Sequence, residues 1–251
     1  LLLMFATAAG NVRAMDAQGE IYASVERFEW TETMNGSQFV EEEGPLGGLG
    51  GIIRLRFEGA PFGVYGLGEV YAGEVDYDGF LQTPDGLIPA ESETEYNGMV
   101  LEAGLSFDWQ ASESVLLQPF AGLGAHAWER DLQGVGGYVE TWSTIYAAVG
   151  ATIRFQMGPQ WDVYGSGAWV PALHNEEEVD LRRVGGPSSI DLEPKEESGF
   201  RAEGGFRVRS FYAAIYYETL KFGESDIDRS GRFLQPDSEA EMIGLRGGFA
   251  F

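Results

Sequence analysis

The chain has 251 residues, 40 Asp and Glu against 16 Lys and Arg, and a formal net charge of -24. So acidic a chain excludes a nucleic-acid partner, because binding a phosphate backbone needs a basic face that releases counterions. It has no cysteine, which excludes disulfide frameworks and thiolate metal sites, and its 36 glycines and 13% aromatic residues point to an all-β protein of strands joined by turns.

The chain opens with LLLMFATAAGNVRA, an apolar run followed by small residues, which reads as the tail of a secretory signal cleaved after Ala8 or Ala14. Residues 1–14 are therefore assigned to a signal remnant and 15–251 to a single domain. No other run approaches the roughly 20 apolar residues of a spanning helix. If the protein lies in a membrane, strands must cross it.

Period-two alternation predicts ten strands, over residues 20–32, 46–58, 62–78, 95–109, 114–130, 138–155, 160–174, 198–209, 211–223 and 240–251. The pattern is clearest over 98–109, where Met99, Leu101, Ala103, Leu105, Phe107 and Trp109 share one face and Gly98, Val100, Glu102, Gly104, Ser106 and Asp108 the other. It recurs over 117–130, 145–155 and 200–208. One face is apolar throughout, while the charges sit with Gly and Ser on the other, as in a lumen; a soluble sandwich scatters its charges over the outer face. Glu69 and Arg27 interrupt the parity, which predicts a bulge or a shifted register in the first, third or ninth strand.

The connections alternate between short ones, such as Gly59-Ala60-Pro61 and the Arg209-Ser210 corner, and long ones near 33–45, 79–94, 131–137, 175–197 and 224–239. That rhythm belongs to a closed antiparallel up-and-down transmembrane β-barrel, with short periplasmic turns and longer outer loops. Eight or twelve strands are the alternatives if the poorly phased segments are misread.

Through this rhythm and its final stretch, LRGGFAF, the chain resembles the small outer-membrane β-barrel superfamily, the porin-like and OmpA-like barrels. The resemblance spans the whole mature chain and is one of architecture. It implies a Gram-negative outer-membrane location, contact with membrane lipid and lipopolysaccharide, and reading of the last strand by the barrel-assembly machinery, with Phe249 and Phe251 as its signal. Arg246 stands where the family's terminal signal carries glycine.

Arg54, Arg56, Arg130, Arg154, Arg201, Arg207, Arg209 and Arg246 fall on the predicted inner face, with Glu102, Asp108, Asp162, Glu203 and Glu218. Buried charges must pair or stay hydrated. The first expectation is a lumen filled by Arg–carboxylate ladders in a barrel with a structural or surface-interacting role and no catalysis. The alternative is a narrow, Arg-lined pore for small solutes.

The long loops carry most of the excess negative charge, which reads as a solvated surface or as divalent-cation binding, direct or bridging to lipopolysaccharide. In the last loop, DIDRSGRFLQPD sets Asp226, Asp228, Ser230, Gly231 and Asp237 at the first, third, fifth, sixth and twelfth positions of a calcium-loop pattern. The match is partial: no helices are expected around it, Asp replaces the closing Glu, and an acidic hairpin tip explains the same residues without metal. No other cofactor is expected.

Asp76, Asp78 and His174 close the third and seventh predicted strands, a placement similar to the ten-stranded omptin proteases, which set an Asp pair against an Asp–His pair across the barrel mouth to activate water. Ala172 stands two residues before His174, where that resemblance implies a carboxylate. The inward His126, with Ser143 or Ser166 as nucleophile, would suit lipid hydrolysis only with a convergent geometry, and a lumenal histidine bonded to a carboxylate is the expectation. Finally, Trp30, Tyr65, Trp109, Trp142, Trp161, Trp169 and Tyr217 lie near strand ends and are expected in the interfacial girdles, with Trp109 and Trp161 at the periplasmic one.

Overall fold

The computed structural model describes residues 15–83, 86–134, 136–185, 189–229, 231 and 233–251. The signal assigned to residues 1–14 lies outside them. Thirteen strands follow in order: β1 (Met15–Met34), β2 (Ser37–Phe57), β3 (Phe62–Thr83), β4 (Gly86–Phe107), β5 (Trp109–Ser112), β6 (Val115–Leu132), β7 (Val139–Gly158), β8 (Trp161–Asp180), β9 (Ile190–Leu192), β10 (Lys195–Glu196), β11 (Ser198–Val208), β12 (Phe211–Gly223) and β13 (Asp237–Ala250).

Ten of these form one closed antiparallel ring. β1 pairs with both β2 and β13, and β12 pairs with β13, so no edge is left open. Closure removes the unpaired backbone groups that hydrocarbon cannot satisfy. β5 pairs with the start of β6, and β9 and β10 add short pairings to β8 and β12 at the outer end.

The staves run further than the alternation predicted. The segment 33–45 is no loop: Asn35 and Gly36, at φ 53° and 76°, close a two-residue hairpin between β1 and β2. Most of 79–94 is likewise strand, because β3 continues to Thr83 and β4 begins at Gly86. At 22 residues each, β3 and β4 far exceed the roughly 9–11 residues that a bilayer-crossing strand needs. Their upper halves therefore stand outside the membrane.

The expected bulges in the third and ninth strands are absent. Pairing of β3 with β4, and of β12 with both neighbours, runs without a shift, and β1 slips only at Glu32/Thr33, beside the hairpin. Glu69 faces inward onto lumenal partners, and Arg27 faces outward above the apolar band; neither breaks the parity.

Outward side chains divide into two zones. Towards the short turns they are apolar and exposed, as with Ile21 and Val25 on β1, Leu101 and Leu105 on β4, and Leu245 and Phe249 on β13. Phe62, Phe107, Trp109, Trp161 and Phe211 ring the turn end, and Trp169 stands exposed opposite Phe200 higher up. Trp30 and Trp142 do not join a girdle. They are buried inside the barrel, and Tyr65 also points inward, to Glu102. Above the apolar band the outer wall turns acidic, and like charges face each other across strands: Glu29 opposite Glu43 and Glu241, Glu41 opposite Asp78, Asp76 opposite both Glu43 and Glu93.

Candidate functional site

The lumen is the one place where the inward charges meet. Along β1 the inner face carries Glu20, Tyr22, Ser24, Glu26, Phe28, Trp30 and Glu32, so the strand runs from a polar lower half to an aromatic upper half.

In the upper half, Trp30, Trp128, Trp142 and Phe222 meet at the barrel axis. Trp128 and Trp142 stack at 5.4 Å, and Trp142 packs on Trp30 at 5.3 Å and on Phe222 at 5.1 Å. Phe28, Leu46, Val75, Tyr96, Leu220 and Met242 complete this core. Arg130 sits beside it at 2% exposure, with its guanidinium on Glu42 at 2.8 Å, Glu140 at 2.8 Å and Glu32 at 3.2 Å. Trp30 and Trp142 donate to two of the same carboxylates, Glu32 and Glu140, each at 3.0 Å, and Thr94 and Tyr96 donate to Glu42. Glu177 is also buried here, and neither of its oxygens has a hydrogen-bond partner. Above this layer, Val179 at the end of β8 and Leu181, Ile190 and Leu192 in the β8–β11 connection pack with Tyr138 of the β6–β7 connection and Phe233 of the β12–β13 connection as a lid. Burial among these groups, beside Glu140, pushes the Tyr138 phenol well up from its usual range.

The lower half is polar. Arg54 and Arg207 share Glu20, Arg56 pairs with Asp108 at 2.9 Å, Arg154 with Asp162 at 3.2 Å, and Arg201 bridges Glu102 and Glu218, each at 3.0 Å. Arg246 reaches Glu203 at 2.8 Å and Glu69 at 3.2 Å, and lies between the rings of Tyr22 and Tyr216 at 4.3 and 4.6 Å. Inward glycines make room for the tyrosines: a Cβ on Gly50 would lie 2.4 Å from the Tyr22 ring. Tyr22, Tyr65, Tyr146 and Tyr164 each donate to a lumenal glutamate. Between these groups lies a cavity of ≈ 140 Å³.

Of the lumenal residues expected from sequence, Arg209 departs. It occupies the β11–β12 turn at φ 56°, and its Nε donates to Gln160 at 2.7 Å, so it belongs to the periplasmic rim and not to the ladder. Sequence reasoning missed Glu20, Glu26, Glu32, Glu42, Glu69, Glu140 and Glu177, and the tyrosines as their donors. The even-numbered parity of β1 was the signal for three of these glutamates, and Arg27 obscured it. His126 is buried, as placed, but its Nε2 lies 2.7 Å from the Tyr71 hydroxyl in place of the expected carboxylate. Ser166 accepts from Thr152 at 3.0 Å, and Ser143 faces away from His126's side of the wall.

The omptin-like constellation is not assembled. Asp76 and Asp78 are exposed on the outer wall of β3, flanking the inward Tyr77, while His174 is exposed on β8, four staves away, with Glu176 at 3.0 Å. In the last loop, Asp237 accepts from the Glu224 amide at 2.7 Å and Asp228 from the Phe233 amide at 2.9 Å. Ser230 lies outside the described residues. Among the described residues, Asp226 included, no three acidic or histidine side chains converge as a metal site requires.

No protein-family model matches the chain, and no curated protein matches it either. Among solved structures it is similar to the outer membrane protease OmpT from Escherichia coli, with a TM-score of 0.62 at 8% identity, covering 94% of this chain and 96% of that one. It also matches the translocator domain of the autotransporter NalP from Neisseria meningitidis, with a TM-score of 0.47 at 12% identity over 91% of this chain and 87% of that one. A third match is the outer membrane protein OprG from Pseudomonas aeruginosa, with a TM-score of 0.43 at 11% identity over 96% and 98%. The likeness to OmpT is a likeness of fold. A closed ten-stave ring with a lipid-facing apolar band and an aromatic turn end is an integral β-barrel of the bacterial outer membrane.

Proposed function

We propose that this outer-membrane barrel neither conducts solutes nor catalyses a reaction, and that it acts as a structural, surface-contacting element of the envelope. The observation that carries this reading is the packed upper lumen, where four aromatic rings meet on the axis and Arg130 with its carboxylates fills the space beside them. A water path needs a continuous polar bore, and this layer interrupts it. In planar bilayers the refolded barrel is expected to show no openings above background; reproducible unitary openings of the wild-type protein would favour the narrow pore. The outward placement of Asp76 and Asp78, far from His174, argues in the same way against an omptin-type hydrolase. Incubation with a fluorogenic peptide library should release no signal.

The surface contact rests on the acidic outer wall. Like charges directly opposite across strands destabilise a sheet, and here they form rows over β13, β1, β2, β3 and β4. With no three of them converging on one point, the wall attracts a diffuse layer of divalent cations that can also serve lipopolysaccharide phosphates. Magnesium should raise the melting temperature of the barrel in lipopolysaccharide micelles, and a Glu41→Gln/Glu43→Gln/Asp76→Asn/Asp78→Asn variant should lose most of that gain. An equal gain in both proteins overturns this contact. Phe249 and Phe251 are proposed as the signal for the assembly machinery, and Phe251→Ala should lower the yield of heat-modifiable barrel in the envelope.

A further inference from the structure

The carboxylates lining the cavity in the polar lower half of the lumen leave some of its donors unused. Its three lining carboxylates are already engaged: Glu20 by Arg54 and Arg207, Glu102 by Arg201, Tyr65 and Tyr146, and Glu203 by Arg246 and Tyr164. Three buried donors on the same cavity have no partner: Arg207 Nε, Tyr212 Oη and Arg246 Nε. Their placement is not scattered. Arg207 and Tyr212 are directly opposite on β11 and β12, and Arg246 on β13 lies opposite Ala214, one inward position along from Tyr212. Tyr212 is 2% exposed, so bulk water does not satisfy its hydroxyl.

Five guanidiniums line the cavity, those of Arg54, Arg154, Arg201, Arg207 and Arg246, against the three carboxylates, while Asp162, Glu218 and Glu69 pair with Arg154, Arg201 and Arg246 from beyond the lining. The guanidiniums of Arg54 and Arg207 both lie near enough to Arg154 to repel it, and only Glu20 and Asp162 offset the three. A second cavity of ≈ 480 Å³ opens at the turn end and shares Arg154 and Arg207 with the first, with Arg209 on its rim. The upper end is shut by the aromatic layer. Unused donors on a cavity whose own lining carries more guanidinium than carboxylate, reached from one side, call for a ligand that only accepts hydrogen bonds and carries negative charge.

We propose that the lower lumen is a blind binding site for a small oxyanion of the phosphate or carboxylate type, held by Arg207, Tyr212 and Arg246 and entered from the periplasm past Arg154. The ≈ 140 Å³ chamber has room for an ion of that size.

Calorimetric titration of the folded barrel in neutral-detergent micelles, with inorganic phosphate and separately with acetate at fixed ionic strength, tests this. Saturable binding of at least one is expected. Arg207→Gln should weaken it about tenfold, and Tyr212→Phe, which removes one neutral donor without altering charge, should weaken it by about half that on a logarithmic scale. Folding of each variant is checked by its heat-dependent mobility, and where Arg207→Gln fails to fold, Tyr212→Phe decides. No saturable binding of either anion to the wild-type barrel, the result expected if water alone serves the three donors, overturns the proposal. Equal affinities in the wild type and Tyr212→Phe overturn it as well.

Discussion

Arg130 and Arg246 point into the same barrel from its two halves, and their surroundings differ in kind. Arg130 is 2% exposed, held by three carboxylates, with Trp30 at 5.8 Å and a layer of stacked indoles beside it. Arg246 keeps two carboxylates and two tyrosine faces, borders a cavity, and leaves one of its nitrogens without a partner. The contrast follows from what lies outside the wall. Where the outer face is apolar and meets lipid, as at Ile21, Val25 and Leu245, the inner face is polar; where it is acidic and meets water, as at Glu29, Asp76 and Glu241, the inner face is Trp30, Val75 and Met242. Each long stave changes its hydrophobic side part-way along. The lower half is built as a membrane barrel and the upper half as a water-soluble one.

The sharpest way to break this contrast is to remove its upper charge. Arg130→Ala leaves Glu32, Glu42 and Glu140 buried without their common partner, at an expected cost of about 3–5 kcal/mol. Urea unfolding in lipid vesicles measures it. Arg56→Ala, on a pair about a third exposed at the lower rim, should cost well under half as much. Similar losses at the two sites would mean that the upper lumen is wetter than its packing indicates.

The opposite sign is expected at Glu177. Its carboxylate is buried beside Glu140 and Glu32 with no hydrogen-bond partner, and only Arg130 is near enough to offset it. Glu177→Leu replaces an unsatisfied polar group by an apolar one in a layer already lined by Trp142, directly opposite on β7. A gain of about 1–3 kcal/mol is expected. A loss of stability on this substitution would show that the carboxylate is needed where it stands.

That change of side also explains what the sequence made legible. Period two located all ten staves and the inward arginines of the lower half, because there a single rule holds, apolar outward with charge and glycine inward, but it missed Glu20, Glu26 and Glu69 on the first and third staves. It failed above the membrane over 33–45, where Val40 turns inward among outward acids and the segment reads as an acidic loop. Asn35-Gly36 was a direct hairpin signal inside that segment. Trp30 and Trp142 were read as girdle residues because a tryptophan near a strand end suits the interface, but both stand at even, inward positions, Trp30 with Glu32 on β1 and Trp142 with Glu140 on β7. The lumenal arginines were found from parity alone, whereas which glutamate each one meets depends on strand order and stagger around the closed ring. The Arg207–Glu20 and Arg246–Glu69 pairs lie 187 and 177 residues apart, beyond the reach of any local pattern.

The smallest effect belongs to the outer surface. Arg183, in the turn after β8, donates from Nη1 and Nη2 to the two oxygens of Asp131 at the top of β6, whereas Arg130 meets Glu42 side-on through Nε and Nη2. The Arg183 side chain is 53% exposed, so the pair works in water, where Coulomb attraction is screened and two mobile side chains must be held still. Arg183→Gln should therefore cost less than about 1 kcal/mol, and that small cost should shrink further in 1 M salt, where the screening length falls to about 3 Å. The Arg130→Ala penalty should be nearly unchanged by the same salt, because ions do not enter a packed layer. Measuring the two variants at low and high salt thus compares arginine–carboxylate pairing in two media. Equal salt dependence would remove the distinction between a dry upper lumen and a wet exterior.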